Sequence, residues 1–197
     1  MDKITDKKYF ARGKRGIIHT ARLKNKKVAI KTKNPDSDAV DRIKNEGYYL
    51  KILKKHNIGP RLVKAAKNRI IYEFVEGDFI LDYIGKNGKD QVKRVLKDLL
   101  RQAFTLDKLE INKEEMHRQN KHIIIKEKPV MIDFERAHYS RNPNNVTQLC
   151  QFMIRISGLL RKKGIYIERE KIIDLAKAYK KKRTRKNLEN IVKYVTK

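Results

Sequence analysis

The apolar residues of this chain change their spacing once, around Glu76-Gly77-Asp78, and that change restricts the possible folds more than any bulk property. Before it, short apolar runs are punctuated by turn residues. Tyr9-Phe10-Ala11 leads into a turn with Gly13 and Gly16; Ile17 to Leu23 then runs outward, Lys24-Asn25-Lys26 turns, and Val28-Ala29-Ile30 returns. Asn34-Pro35-Asp36-Ser37 reads as a loop, with Asp36 or Ser37 as a helix N-cap. Ala39, Ile43, Leu50 and Leu53 predict a helix over 39–55 that stops before Asn57-Ile58-Gly59-Pro60. Strands are expected over 61–63 and 69–74, giving β-β-β-α-β-β.

After the change the spacing is helical. A short helix over 79–84 and a long one over 90–109, with Val92, Val95, Leu96, Leu99 and Phe104 on one side, precede a polar stretch from Asn112 to Lys121. Ile123-Ile124-Ile125 and Pro129-Val130-Met131-Ile132 read as a hairpin, and helices are expected over 146–160, 168–181 and 186–195. The fold class is therefore α+β, with a mostly β portion over 1–76 and a mostly helical portion over 77–197.

A length of 197 residues suits one domain or two small lobes, and 40% hydrophobic residues suffice for a core despite 37% charged ones. No apolar stretch approaches the length of a membrane span, and Met1 to Asp6 lacks the apolar centre of a signal peptide. Cys150 stands alone, which excludes an intrachain disulfide and suits a small buried residue. A cytoplasmic protein with no membrane partner is expected. Fifty Lys and Arg against 23 Asp and Glu give a net charge of +27. Such an excess implies a polyanionic partner: nucleic acid, a ribonucleoprotein or a nucleotide-bearing substrate. The competing account is a basic surface with no specific partner. The densest cationic run, Lys180 to Lys186, lies late in the chain.

Several residues have the chemistry of a phosphate and metal site. Asp133 follows a short apolar run in Asp133-Phe134-Glu135, where a carboxylate at a strand end is placed to ligate Mg²⁺, a hard ion that prefers oxygen. Lys31, closing Val28-Ala29-Ile30-Lys31, is a compact point charge suited to bridging phosphate oxygens. Gly13-Lys14-Arg15-Gly16 offers backbone N–H groups to an anion, with two cations beside them. Between Asn112 and His122 there is no aspartate; the carboxylates of that stretch are Glu114 and Glu115.

In these motifs and their order the sequence resembles a protein kinase of the small atypical branch that includes the RIO and KEOPS-associated kinases. It looks most like the archaeal predicted Ser/Thr kinases whose metal motif reads Ile-Asp-Phe-Glu, here Ile132-Asp133-Phe134-Glu135. The resemblance implies a two-lobed kinase-like fold with ATP and Mg²⁺ held between the lobes. It makes Lys31 the contact to the α- and β-phosphates, Glu46 its partner from the following helix, and Gly13, Lys14, Arg15 and Gly16 the phosphate-covering turn. Tyr72-Glu73-Phe74-Val75-Glu76-Gly77 resembles a hinge, with adenine near the backbone of Glu73 and Val75. Asp133 becomes the metal ligand, Glu115 the residue nearest the catalytic aspartate, and Asn120 a reach to a second metal. Two departures stand out: the loop lacks its aspartate, and no Ala-Pro-Glu follows Asp133, so a conventional peptide-docking segment does not fit. The implied activity is that of an ATP-dependent Ser/Thr protein kinase-like phosphotransferase or ATPase. The alternative is a catalytically impaired kinase-fold module that binds RNA or a ribonucleoprotein through its basic surface. Because Lys31 would act through phosphates, the nucleotide-free fold is expected not to depend on it.

Overall fold

The computed structural model describes residues 3–37 and 41–197. By its own contacts the chain divides into two compact units. The first takes in the chain up to Glu76 together with Val130–Ala137; the second comprises Gly77–Pro129 and His138–Lys197.

The first unit is built on a five-stranded antiparallel sheet: β1 (Ile4–Arg12), β2 (Gly16–Leu23), β3 (Lys26–Lys33), β4 (Leu62–Ala66) and β5 (Arg69–Glu73), in the order β1-β2-β3-β5-β4. Lys24 and Asn25, both left-handed at φ 49° and 60°, close the β2–β3 hairpin with Leu23 opposite Lys26. Two consecutive left-handed residues match the twist of the flanking strands. Alternation along β3 sends Val28 and Ile30 to one face, where they pack with Ala21 and Ile71, edged by Ile4 and Leu23. Lys31 therefore points to the other face, beside its cross-strand partner Ile70.

Helix α1 (Arg42–Leu53) packs on that second face. Gly47 permits the approach, since a Cβ there would stand 2.9 Å from Ile70 Cγ2 and 3.2 Å from Ala65 Cβ. The expected start of this helix at Ala39 lies outside the described residues. Neither Asp36 nor Ser37 caps it: the helix begins at Arg42, behind a left-handed Asp41 at φ 57°. Asp36 is occupied elsewhere, paired with Arg12 through its carboxylate and with Asn34 Oδ1 through its N–H. A 3₁₀ turn over Lys54–His56 ends the helical segment.

The second unit is mostly helical: α2 (Ile80–Lys86), α3 (Lys89–Lys108), α4 (Asn145–Arg155), α5 (Ser157–Arg161), α6 (Arg169–Lys181) and α7 (Arg185–Val195). Seven α-helices are thus present among the described residues, and with the antiparallel sheet the architecture is α+β. Helix α3 buries Val92, Val95, Leu96, Leu99, Leu100, Ala103 and Leu106, a stripe at three- and four-residue spacing. Its partners are α4 and α7, and α6 packs on both α4 and α7. No helix among the described residues is long and apolar enough to cross a membrane.

Two boundaries differ from the sequence reading in an instructive way. The helix expected over 146–160 is broken at Ile156 into α4 and α5, where Ser157-Gly158 supplies two weak helix formers. The polar stretch after α3 contains a two-residue strand, β7 (Ile111–Asn112), paired with β10 (His138–Tyr139). Strands this short have no period to detect. The remaining short strands are β6 (Asp78–Phe79), which pairs with β8 (Ile123–Ile125), and β9 (Pro129–Met131).

A buried carboxylate ties the second unit together. Asp107 near the end of α3 accepts from Asn145 N (3.0 Å), Asn145 Nδ2 (2.7 Å), Val146 N (3.3 Å) and Tyr179 OH (2.9 Å). It therefore caps α4 and anchors α6 at one point. Asn145 Oδ1 in turn accepts from Lys113 N at 2.9 Å, which fixes the chain after β7.

Candidate functional site

Five charged side chains of the first unit converge near the turn between β1 and β2. Lys31 Nζ donates to Glu46 Oε2 at 2.6 Å and Asp133 Oδ1 at 3.2 Å, and lies 3.5 Å from Glu135 Oε2. The other oxygen of Glu135 accepts from Arg15 Nη1 at 2.8 Å. Lys31, Glu46 and Glu135 are 7%, 2% and 5% exposed, so these charges interact through protein rather than through water.

The local structure explains why they meet. On α1, Arg42, Asn45 and Glu46 share one face by their spacing. Asn45 Nδ2 donates to the carbonyls of Glu135 (3.0 Å) and Ala137 (2.9 Å), and Arg42 Nη1 reaches Glu135 O at 3.4 Å. The helix thereby holds the Asp133–Ala137 segment by its backbone and presents Glu46 to it. Asp133 is left-handed at φ 65°, an uncommon state for a residue other than glycine, and Phe134 behind it is fully buried. Residues kept in such conformations by their surroundings concentrate at functional sites.

The turn before β2 is equally well tethered. Asn34, 5% exposed, donates through Nδ2 to Gly13 O and Lys14 O, both at 3.2 Å, while its N–H donates to Arg15 O at 3.0 Å. Gly16 lies over the stem of Lys31: a Cβ there would come within 3.0 Å of Lys31 Cε and 3.2 Å of Thr32 O. The glycine makes room for the lysine as well as for the turn.

Three carboxylates around one buried ammonium set the local electrostatics. Burial pulls the Lys31 amine down, but Glu46, then Asp133, outweigh it and hold the group well above the ordinary lysine value, so it stays charged. Burial, aided by Asp133 and Glu135 and opposed by Lys31, pushes the Glu46 carboxyl up. Tyr72, buried on β5, has its hydroxyl pushed up by burial and then by Glu46. Glu46, Asp133 and Glu135 each offer a carboxylate oxygen within 4.8 Å of the others. An all-oxygen donor set of this kind suits a hard divalent cation.

Among proteins compared with this chain, an uncharacterized protein of Methanocaldococcus jannaschii is 30% identical over 114 residues, covering 55% of this chain and 98% of that relative. The chain belongs to the family of that archaeal protein. No family model matches the sequence. The relative's description carries no activity, so membership of this family leaves the chemistry to be argued from the site itself.

The residues expected from the sequence fall into two groups. Gly13, Arg15, Gly16, Lys31, Glu46 and Asp133 all belong to the cluster and its tethered turn in the first unit; Lys14 enters through its carbonyl and is otherwise exposed. In the hinge-like segment, Glu73 N donates to Arg61 O at 3.0 Å, and its carboxylate faces Lys26 and Arg61 at 3.5 and 3.4 Å. Phe74 N donates to Lys27 O at 3.1 Å, which leads the chain into Val75. Glu115 and Asn120 belong to the second unit. Glu115 is left-handed at φ 52°, following Glu114 at φ 68°, and its carbonyl accepts from Arg118 N and Gln119 Nε2 at 2.9 and 3.1 Å. Asn120 Oδ1 is buried with no hydrogen-bond donor facing it among the described residues.

Sequence reasoning missed three contributors. Glu135 counted only as the last residue of the Ile-Asp-Phe-Glu motif, yet it is the hub that joins Arg15, Lys31 and the α1 contacts. Asn34 and Asn45, which fix the turn and the Asp133 segment, carry no signal in a single sequence beyond lying next to motif residues.

Proposed function

We propose that this protein is a small atypical ATP-dependent phosphotransferase of the Ser/Thr protein kinase-like type, with a two-lobed kinase-like arrangement and Mg-ATP as its nucleotide. The observation that carries the reading is Lys31 on β3, held at 2.6 Å by Glu46 of the next helix and at 3.2 Å by Asp133. A lysine so placed is a fixed, fully charged donor for phosphate oxygens. The three carboxylates fit a magnesium ion by donor type and by mutual distance. Bound there, the ion would neutralise phosphate charge and align the transferring group.

In this reading Arg15 and the Gly13–Gly16 turn cover the phosphates, Glu46 keeps Lys31 oriented, and Asp133 holds the metal. Glu115 accepts the proton of the attacking hydroxyl, a role that requires only a well-placed carboxylate. The test pairs a Mg-ATP thermal shift with radiolabelled phosphate transfer to the protein itself, to water and to added acidic or basic proteins. The parent is expected to gain stability with Mg-ATP and to turn it over. Asp133→Asn should lose both, and Glu115→Gln should bind as the parent does while transfer falls by about 10²–10⁴-fold. A parent that gains no stability with Mg-ATP overturns the nucleotide assignment. A parent that binds but transfers nothing overturns the enzyme.

A further inference from the structure

One edge of the sheet carries positive charge almost unrelieved by carboxylates: residues 3–23, which hold β1 and β2, contain seven Lys or Arg and a single carboxylate, Asp6. Six consecutive residues of β1, Thr5 to Phe10, are exposed, so both faces of this edge strand are open to solvent. Within them the sequence is Lys7-Lys8-Tyr9-Phe10, and the rings are 65% and 55% exposed. Neither Lys7 nor Lys8 has an ion-pair partner among the described residues, whereas Arg22 on the paired strand stands 3.8 Å from Asp6.

Edge strands often carry lysine simply to discourage strand addition. That accounts for much of the charge, with Lys7, Lys8 and Arg12 among the nine residues of β1 and Lys64 among the five of the opposite edge, β4. It does not account for two aromatic rings left in water beside the cations. Each ring meets an aromatic neighbour near a right angle: Tyr9 is edge-to-face with His19 at 6.1 Å, and Phe10 with Phe74 at 5.1 Å. The rings are thus oriented while much of their surface stays open. Cations that neutralise phosphates, interleaved with rings on which unpaired bases stack, are the two components of a single-strand binding surface.

We propose that the β1–β2 edge of this protein binds single-stranded nucleic acid, with Lys7, Lys8 and Arg22 against the phosphates and Tyr9 and Phe10 against bases. Lys7, Lys8 and Tyr9 take no part in the Lys31 cluster, although Phe10 packs on Phe74 of the hinge-like segment, so the substitutions that test the proposal leave the nucleotide assignment aside. Its test is fluorescence anisotropy of the full chain with labelled oligouridine, oligothymidine and a duplex, each across a salt titration. Lys7→Gln/Lys8→Gln should flatten the log affinity–log salt slope for the single strands by about 1.4, from about 0.7 per cation removed. Tyr9→Leu should weaken single-strand binding about tenfold and leave the slope unchanged, because stacking is not ionic. Lys181→Gln/Lys182→Gln removes equal charge from the densest cationic run and should change little. Equal loss from that control pair would overturn the location and leave only diffuse charge. Tighter binding of the duplex, with no effect of Tyr9→Leu, would overturn the single-strand assignment, and no binding at low salt would overturn the proposal outright. Comparing oligouridine with oligothymidine tells whether the sugar matters. All substituted residues are exposed, so unaltered melting curves confirm that the fold is intact.

Discussion

Replacing Lys31 by methionine removes the ammonium from the cluster while keeping most of its apolar stem. Glu46 and Glu135, at 2% and 5% exposure, then face each other and Asp133, with Arg15 on the far oxygen of Glu135 as counter-charge. Breaking a buried pair by deleting one partner typically costs about 3–5 kcal/mol, because the survivor remains charged and desolvated. For a chain of this size each kcal/mol lowers the melting temperature by about 2–4 °C, so a loss of at least about 6 °C is expected. This revises the sequence-based expectation that the nucleotide-free fold is indifferent to Lys31: the lysine is a structural counter-ion before any phosphate arrives. Adding Glu46→Gln should restore part of the loss, since it removes the most buried of the orphaned carboxylates. Acidification should also help. Glu46 has its pKa raised in the folded parent, and loss of Lys31 removes the one influence that lowers it. A carboxyl with a raised folded pKa favours the folded state most when protonated, so the variant should gain stability, relative to parent, as pH falls from neutral toward the ordinary glutamate range. Millimolar Mn²⁺ should do the same at neutral pH by replacing the missing cation. Thermal melts of parent, Lys31→Met and Lys31→Met/Glu46→Gln at two pH values, with and without Mn²⁺, check each step. A variant that melts with the parent, or that is insensitive to all three remedies, would refute the claim that these carboxylates are electrostatically coupled to Lys31.

Arg15→Gln should cost more stability than Glu135→Gln, about 1–2 kcal/mol against near zero. The first leaves three carboxylates with less compensation, whereas the second relieves their crowding; chemical denaturation of both and of the double variant reads the coupling. In the second unit, Tyr179→Phe should cost about 1.5–3 kcal/mol, the range for a hydrogen bond to a charged group, and Asp107→Ala more, because four donors lose their acceptor together. Equal melting of Asp107→Ala and parent would show that this network does not hold the helices.

The element order was legible because period and turn chemistry agreed over most of the chain. Three strands, a helix and two strands before residue 76, then a helical remainder, follow from apolar spacing, and the boundaries moved by only a few residues. What escaped notice has physical reasons. Helix α1 lacks a capping side chain and starts from a left-handed aspartate, so no start signal exists to be read. The break at Ile156 depends on two weak helix formers inside an otherwise strong apolar stripe. Of the cluster, Lys31, Arg15 and Asp133 were legible because strand-end charges and glycine turns have recognisable neighbours, and Glu46 was legible through the kinase resemblance. Glu135 was not, because a glutamate after Asp-Phe has no distinctive local pattern until the fold brings Arg15 to it. Asn34 and Asn45 act through backbone carbonyls distant in sequence, which no local pattern encodes.

The composition of the cluster bears on how its proposed ligands would arrive. Three carboxylates and two cations, Lys31 and Arg15, leave one negative charge in a largely buried setting of a chain whose net charge is +27. A divalent ion alone would have to share the carboxylates with the cations already on them, and a triphosphate alone would enter beside three like charges. Each is opposed by half of the site. Together they would be complementary to it: Lys31 and Arg15 would turn from the carboxylates to the phosphates, leaving Glu46, Asp133 and Glu135 to hold a metal ion. The same ion pairs that stabilise the nucleotide-free protein would therefore select for metal and nucleotide as a complex over either partner alone.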